Sequence, residues 1–220
     1  MLKGLKMGFQ LMKYGYKIKM NVIMMIVILA FGIVAEISSK GTSFLGGFYL
    51  MMTGMFAYQL IMSMDISEMV QSSAAKRKLQ VGLPVVASTV VYLASYTFLL
   101  VERVILIHQN PQSKEELLYT LFTILLIMIT VYIFSSICYK YFVAGFILFL
   151  ILFIGVDTGA VILWNNGIGA WLCQIGLGWL AVLGYAVVLL GGGIEYLLGS
   201  LLYRKPLSEF AFRGIFKDAK

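Results

Sequence analysis

The chain is a succession of long apolar blocks separated by short polar connections. Stretches free of Asp, Glu, Lys and Arg cover residues 20–35, 41–64, 79–101, 117–139, 141–156 and 158–194. A helix that crosses a hydrocarbon layer of about 30 Å needs about 20 mainly apolar residues. The first five blocks each supply one span. The first is short, but Lys19 and Glu36 bracket it and can snorkel to the two interfaces. Pro84 stands one turn inside the start of the third. The last block is too long for one helix and contains Trp164-Asn165-Asn166-Gly167, which is turn chemistry. The sixth span therefore reads from residue 171 to about residue 203. Residues 155–170 are apolar but too short and Gly-rich for a further span. They read as a re-entrant element, tolerated where other protein covers it, or as an outer-surface loop.

Composition narrows the class. Of 220 residues, 61 % are hydrophobic and 12 % are charged, where an average soluble domain carries about 25 % charged residues. A soluble cytoplasmic enzyme, a disordered chain and a disulfide-rich secreted module are excluded. The fold class expected is an all-α integral membrane protein, with residues 1–220 forming a single transmembrane domain of six helices. The net charge is +7, and its placement matters more than its size. Fourteen of the 17 basic residues flank one end of the spans: Lys3, Lys6, Lys13, Lys17 and Lys19; Lys76, Arg77 and Lys78; Lys140; and Arg204, Lys205, Arg213, Lys217 and Lys220. Lys40, Arg103 and Lys114 fall at the other. The positive-inside rule makes the basic end, with both termini, cytoplasmic. The charge then needs no nucleic acid as a partner. The basic leader and the absence of a small-x-small site argue for a retained first span rather than a cleaved signal peptide. Cys138 and Cys173 lie near opposite ends of their spans, so no disulfide is expected between them.

The connections carry more pattern. Leu2, Leu5, Phe9, Met12 and Tyr16 make an apolar helical stripe, with Lys3, Lys6, Gln10, Lys13 and Lys17 one residue behind. This predicts an amphipathic helix over residues 2–17, lying in the cytoplasmic interface against anionic membrane lipids. Between spans two and three, Asp65 and Glu68 resemble a capping box, and Ile66, Met69, Val70 and Ser73 share one face. The segment ends in the basic cluster Lys76-Arg77-Lys78. It reads either as a short protruding helix that docks a partner or as a solvated loop that sets topology.

A lysine-rich amphipathic leader, two spans and a short cytoplasmic helix ending Gln-Ser-Ser-Ala-Ala-Lys-Arg-Lys-Leu-Gln-Val-Gly-Leu-Pro at 71–84 form a recognisable layout. It resembles the membrane subunits of ABC-2-type exporters of Gram-positive bacteria, and among them the small permeases for antimicrobial or phenol-soluble-modulin-like peptides. The resemblance implies that residues 2–17 are a connecting helix and residues 66–78 a coupling helix. Ile66, Met69, Val70, Ser73, Lys76, Arg77 and Lys78 would seat in a groove of a separate ABC ATP-binding subunit. It implies that 155–170 closes the outer mouth and that two permeases, as a homodimer, pair with two ATPases. It also places the chain in the bacterial cytoplasmic membrane, with residues 204–220 as a cytoplasmic tail. Unlike some relatives, this chain has very short outer connections, which leaves cargo capture to the membrane cavity. ATP and Mg would be bound by the partner, since no G-x-x-x-x-G-K-[S/T] loop occurs in this chain. Gly191-Gly192-Gly193 sits in an apolar helix with no Lys after it, which suits close helix packing.

Ionisable residues inside spans are the remaining candidates. Glu195 stands about two turns before Arg204, roughly 12 Å from the cytoplasmic end. Gly184, Val188, Gly192, Glu195 and Gly199 share one face, which reads as a translocation or subunit-contact surface. Asp157, Trp164 and Asn165 are candidates for an outer gate. Glu102 and Arg103 adjoin the outer end of span three and, as neighbours in sequence, are not expected to face each other. His108, in a polar connection, offers neither a metal site nor a catalytic dyad. The methionines of the first two spans suit lipid-facing packing or an adaptable cargo cavity. No nucleophile–base pair stands out, so no enzyme activity and no bound cofactor or metal are expected. The function expected is the permease subunit of an ATP-driven exporter of hydrophobic or amphipathic cargo, with peptides favoured by the resemblance. The alternative is a self-standing channel or membrane scaffold.

Overall fold

The computed structural model describes residues 18–62, 77–205 and 208. Six helices long and apolar enough to cross a membrane follow one another. They are α1 (Ile18–Ser39), α2 (Phe44–Met62), α3 (Leu83–Gln109), α4 (Lys114–Cys138), α5 (Phe142–Asn165) and α6 (Ile168–Leu202). A π-helical turn, Lys78–Gly82, leads into α3. It stands immediately before Leu83-Pro84. Pro84 cannot donate to the preceding turn, and its ring disfavours regular α continuation, so the chain widens by one residue per turn there. The expected interfacial helix 2–17, the docking positions Ile66, Met69, Val70, Ser73 and Lys76, and most of the tail lie outside the described residues.

The helices alternate in direction. The α1–α2, α3–α4 and α5–α6 connections meet at one end of the bundle. There, Thr120 Oγ1 of α4 lies 3.4 Å from the carbonyl oxygen of Thr42 and Tyr119 packs on Trp164. At the other end the close of α2, the π turn, the α4–α5 turn and the close of α6 come together around Tyr58, Gln80, Tyr139 and Tyr203. The exposed Arg77 and Lys78 stand at that end.

Helix α4 is the most buried element and packs against α2, α5 and α6. Its Leu118, Leu121, Ile124 and Met128 are fully enclosed. Helices α1 and α5 are peripheral and turn broad apolar faces outward, as in Ile151, Ile154 and Val161. In water so much exposed apolar surface would be strongly unfavourable; in hydrocarbon it is the matching solvent. The methionines divide between these environments: Met20 and Met24 face outward, but Met51, Met55 and Met62 belong to the core.

Several boundaries differ from the sequence reading. Residues 155–165 are not an outer-surface loop; they are the last turns of α5, which at 24 residues is about 36 Å long. Gly155 and Gly159 leave open space around the helix and do not end it. The chain turns at Asn166-Gly167, with Gly167 at φ 79°, where glycine avoids the left-handed penalty. Helix α6 begins at Ile168 rather than at residue 171. It breaks at Gly176, whose φ of 80° and ψ of 168° lie outside the helical region. The part after this break is about 39 Å long, enough to cross a membrane by itself.

Candidate functional site

The face of α6 that carries Gly184, Val188, Gly192 and Glu195 is buried within this chain, against α3 and α4. It is closed by the chain's own helices and is therefore not an open surface for a second subunit. Glycine makes the approach possible. A Cβ at Gly184 would overlap the ring of Tyr96, and one at Gly191 the ring of Tyr132. With no Cβ there, both rings lie on the α6 backbone. Tyr96 donates to the carbonyl of Leu180 at 2.7 Å and Tyr132 to that of Val188 at 3.1 Å. Gly199 lies one turn beyond Glu195, near Val81 and Tyr58.

At the centre of this contact Glu195 is fully buried. Ser88 of α3 donates to one carboxyl oxygen at 2.6 Å, and Ser135 of α4 to the other at 2.5 Å. Three helices thus meet on one carboxyl group. Each serine oxygen also lies 3.0 Å from a carbonyl of its own helix, Val85 for Ser88 and Tyr132 for Ser135. The small residues around Glu195 were legible as a stripe. The two serines were not, because single hydroxyls in apolar helices are common and usually bond their own backbone.

A second buried charge group lies near the opposite end. Arg103 of α3 donates to Glu36 of α1 at 2.5 Å and to Glu102 at 3.1 Å. Glu36 and Arg103 are both fully buried. Glu36 therefore does not snorkel to an interface as its position beside the first span suggested. Arg103 does reach its sequence neighbour, since its side chain is long enough to curl back past one residue. Glycines again make room: a Cβ at Gly41 would overlap the guanidinium, and one at Gly46 the Glu36 side chain. Glu36 Oε2 and Arg103 Nε are buried without a hydrogen-bond partner among the described residues. This cluster joins the end of α1, the α1–α2 turn and α3. Its members are 67 residues apart in sequence, beyond the reach of local spacing.

The proposed gate residues do not converge. Asp157 and Asn165 are exposed on α5, about 12 Å apart along its axis. Trp164 packs on Tyr119 with ring centroids 4.6 Å apart. His108 is exposed. Both cysteines are free. Among the described residues no group of three His, Cys, Asp or Glu comes together as a metal site. The scattered hydroxyls of α4 face their own backbone: Thr120 donates to Glu116, Thr123 to Tyr119 and Thr130 to Ile127.

One cavity was not anticipated. Beside the Gly176 break, Trp171, Leu172, Gln174, Ile175, Trp179, Leu180 and Leu183 of α6 and Phe122 of α4 line an open groove of about 520 Å³. That is within the range of small-molecule sites. The fold and these sites define a six-helix membrane bundle with a buried carboxyl group and a buried ion cluster. Compared with family models, with curated proteins and with solved structures, the chain gives no match in any of the three.

Proposed function

We propose that this chain is the membrane permease subunit of an ATP-driven exporter, working by alternating access with a separate ATP-hydrolysing partner. The observation that carries the reading is the convergence of connections at one end. The close of α2, the exposed Arg77 and Lys78, the α4–α5 turn and the close of α6 share that end. A soluble partner that pushed on the 66–78 connection would act directly on α2 and α3, which hold a large share of the buried core. The breaks at Gly176 and in the π turn are places where helices of this kind bend. Cargo is hydrophobic or amphipathic, with peptide favoured by the resemblance of layout. The groove beside Gly176 has the size to take an apolar segment of it and opens outward, toward lipid or a second copy of the chain.

A self-standing channel gains no support from the interior of one chain, which Tyr92, Tyr96 and Tyr132 fill, the hydroxyls of Tyr96 and Tyr132 bonding to backbone. The deciding experiment is copurification of the chain from its native membrane, followed by reconstitution with the ATPase that accompanies it. ATP-dependent accumulation of an amphipathic peptide in inverted vesicles supports the exporter. A chain that brings down no ATPase, and shows no ATP-dependent transport with a candidate ATPase present, returns the scaffold reading.

A further inference from the structure

Glu195 differs in one respect from Glu36, the other fully enclosed acid among the described residues. Glu36 faces the guanidinium of Arg103. Glu195 has no Lys, Arg or His paired with it among the described residues. The groups turned toward it are neutral: Ser88 and Tyr92 from α3, and Tyr132, Ser135 and Cys138 from α4. An ionised carboxylate there would hold an uncompensated charge away from water, whereas a proton removes that charge.

The hydrogen bonds accommodate such a proton without moving a heavy atom. A hydroxyl has one hydrogen to donate. With Glu195 ionised, Ser88 and Ser135 both turn theirs to the carboxylate. With Glu195 protonated, its O–H donates to one serine oxygen, and that serine turns its own hydrogen to the carbonyl 3.0 Å away, Val85 or Tyr132. Separations of 2.5 and 2.6 Å are those of hydrogen bonds to a carboxyl group.

A pocket lies near the site, about one helical turn away. Gly199, about 6 Å along the axis from Glu195, lines a narrow pocket together with Gln80, Ser136 and Tyr139, at the end where α6 closes. The pocket has room for about one water. Gln80 Oε1, buried there without a hydrogen-bond partner, offers that water an acceptor.

We propose that Glu195 is a proton-binding site, occupied at neutral pH, which exchanges its proton with solvent through the pocket between Gln80, Ser136 and Gly199. This holds whether or not an ATPase drives the chain. The test is difference infrared spectroscopy of the full chain in lipid vesicles, in light and heavy water. The expected result is a protonated-carboxyl C=O band at neutral pH that shifts in heavy water. Glu195→Gln loses it, while Glu36→Gln and Glu102→Gln retain it. Absence of the band, or its persistence in Glu195→Gln, overturns the proposal. Should Glu195→Gln fail to insert, Ser88→Ala and Ser135→Ala decide: each moves the band of the proposed site, and an unmoved band assigns the proton elsewhere and overturns it. Gly199→Leu, which fills the pocket, slows the heavy-water shift severalfold. An unchanged exchange rate in that variant overturns the path.

Discussion

Replacing Arg103 with methionine isolates what a buried counter-ion does for this bundle. Methionine keeps much of the arginine stem, so packing of the aliphatic part is largely preserved. The guanidinium is lost, and with it the donors to Glu36 at 2.5 Å and Glu102 at 3.1 Å. Glu36 is then a fully buried acid without a counter-ion. Breaking a buried pair by removing one partner costs about 3–5 kcal/mol, most of it the penalty on the group left behind. Arg103→Met should lose stability in that range. Glu36→Gln in the Arg103→Met background removes the stranded charge and should restore a substantial part of the loss, with a coupling of about 1–3 kcal/mol. The assay is unfolding in mixed detergent micelles, followed by the fluorescence of Trp164, Trp171 and Trp179. An Arg103→Met variant within about 0.5 kcal/mol of the parent, the range of ordinary surface changes, refutes the idea that this cluster holds α1 to α3. So does a double variant no more stable than Arg103→Met alone.

The other expectations can be checked with the same material. Gly191→Ala drives a Cβ into the Tyr132 ring, which is held by its bond to Val188 and by Tyr92 at 4.4 Å, and should cost about 1–3 kcal/mol; Gly193→Ala has open space and should gain up to about 1 kcal/mol from helix propensity. In a cysteine-free background, an impermeant thiol reagent applied to cells should label Thr42→Cys and Gln112→Cys but not Tyr141→Cys or Arg204→Cys; the reverse pattern inverts the topology argued from the lysines. Under the exporter reading, Glu195→Ala should insert normally, because Ser88 and Ser135 can turn back to their own carbonyls, yet transport should fall; unchanged export by a folded variant removes Glu195 from the transport path.

What the sequence disclosed, and what it did not, follows from the range of each interaction. The spans were legible because exclusion of charge from hydrocarbon acts residue by residue: each of the first five blocks without Asp, Glu, Lys or Arg lies mainly in one helix, and the last is divided between α5 and α6. The turn at Asn166-Gly167 was legible for a similar reason, being local backbone chemistry. The reading of 155–170 stopped short because the segment is short and Gly-rich, and Gly155 and Gly159 would weaken a helix in water. In α5 they do not, since a backbone facing hydrocarbon has no water to satisfy it and keeps its helical bonds. The face of α6 was partly legible. Spacing placed Gly184, Val188, Gly192 and Glu195 together, but whether that face met a neighbour within the chain or another subunit depends on α3 and α4. The Glu36–Arg103 pair was illegible by distance along the chain, although one trace of it was present. Ser88, Tyr92, Ser95, Leu99 and Arg103 recur at helical spacing and form the buried face of α3, so Arg103 lies on the inner side of its helix and had to find an acid on another. Periodicity identifies which side of a helix is turned inward, and a charge found on that side implies a partner that only the packing can name. Arg103 found Glu36, whereas Glu195 found two serines and, among the described residues, no cation, and that difference is why one acid reads as a structural tie and the other as a place for a proton.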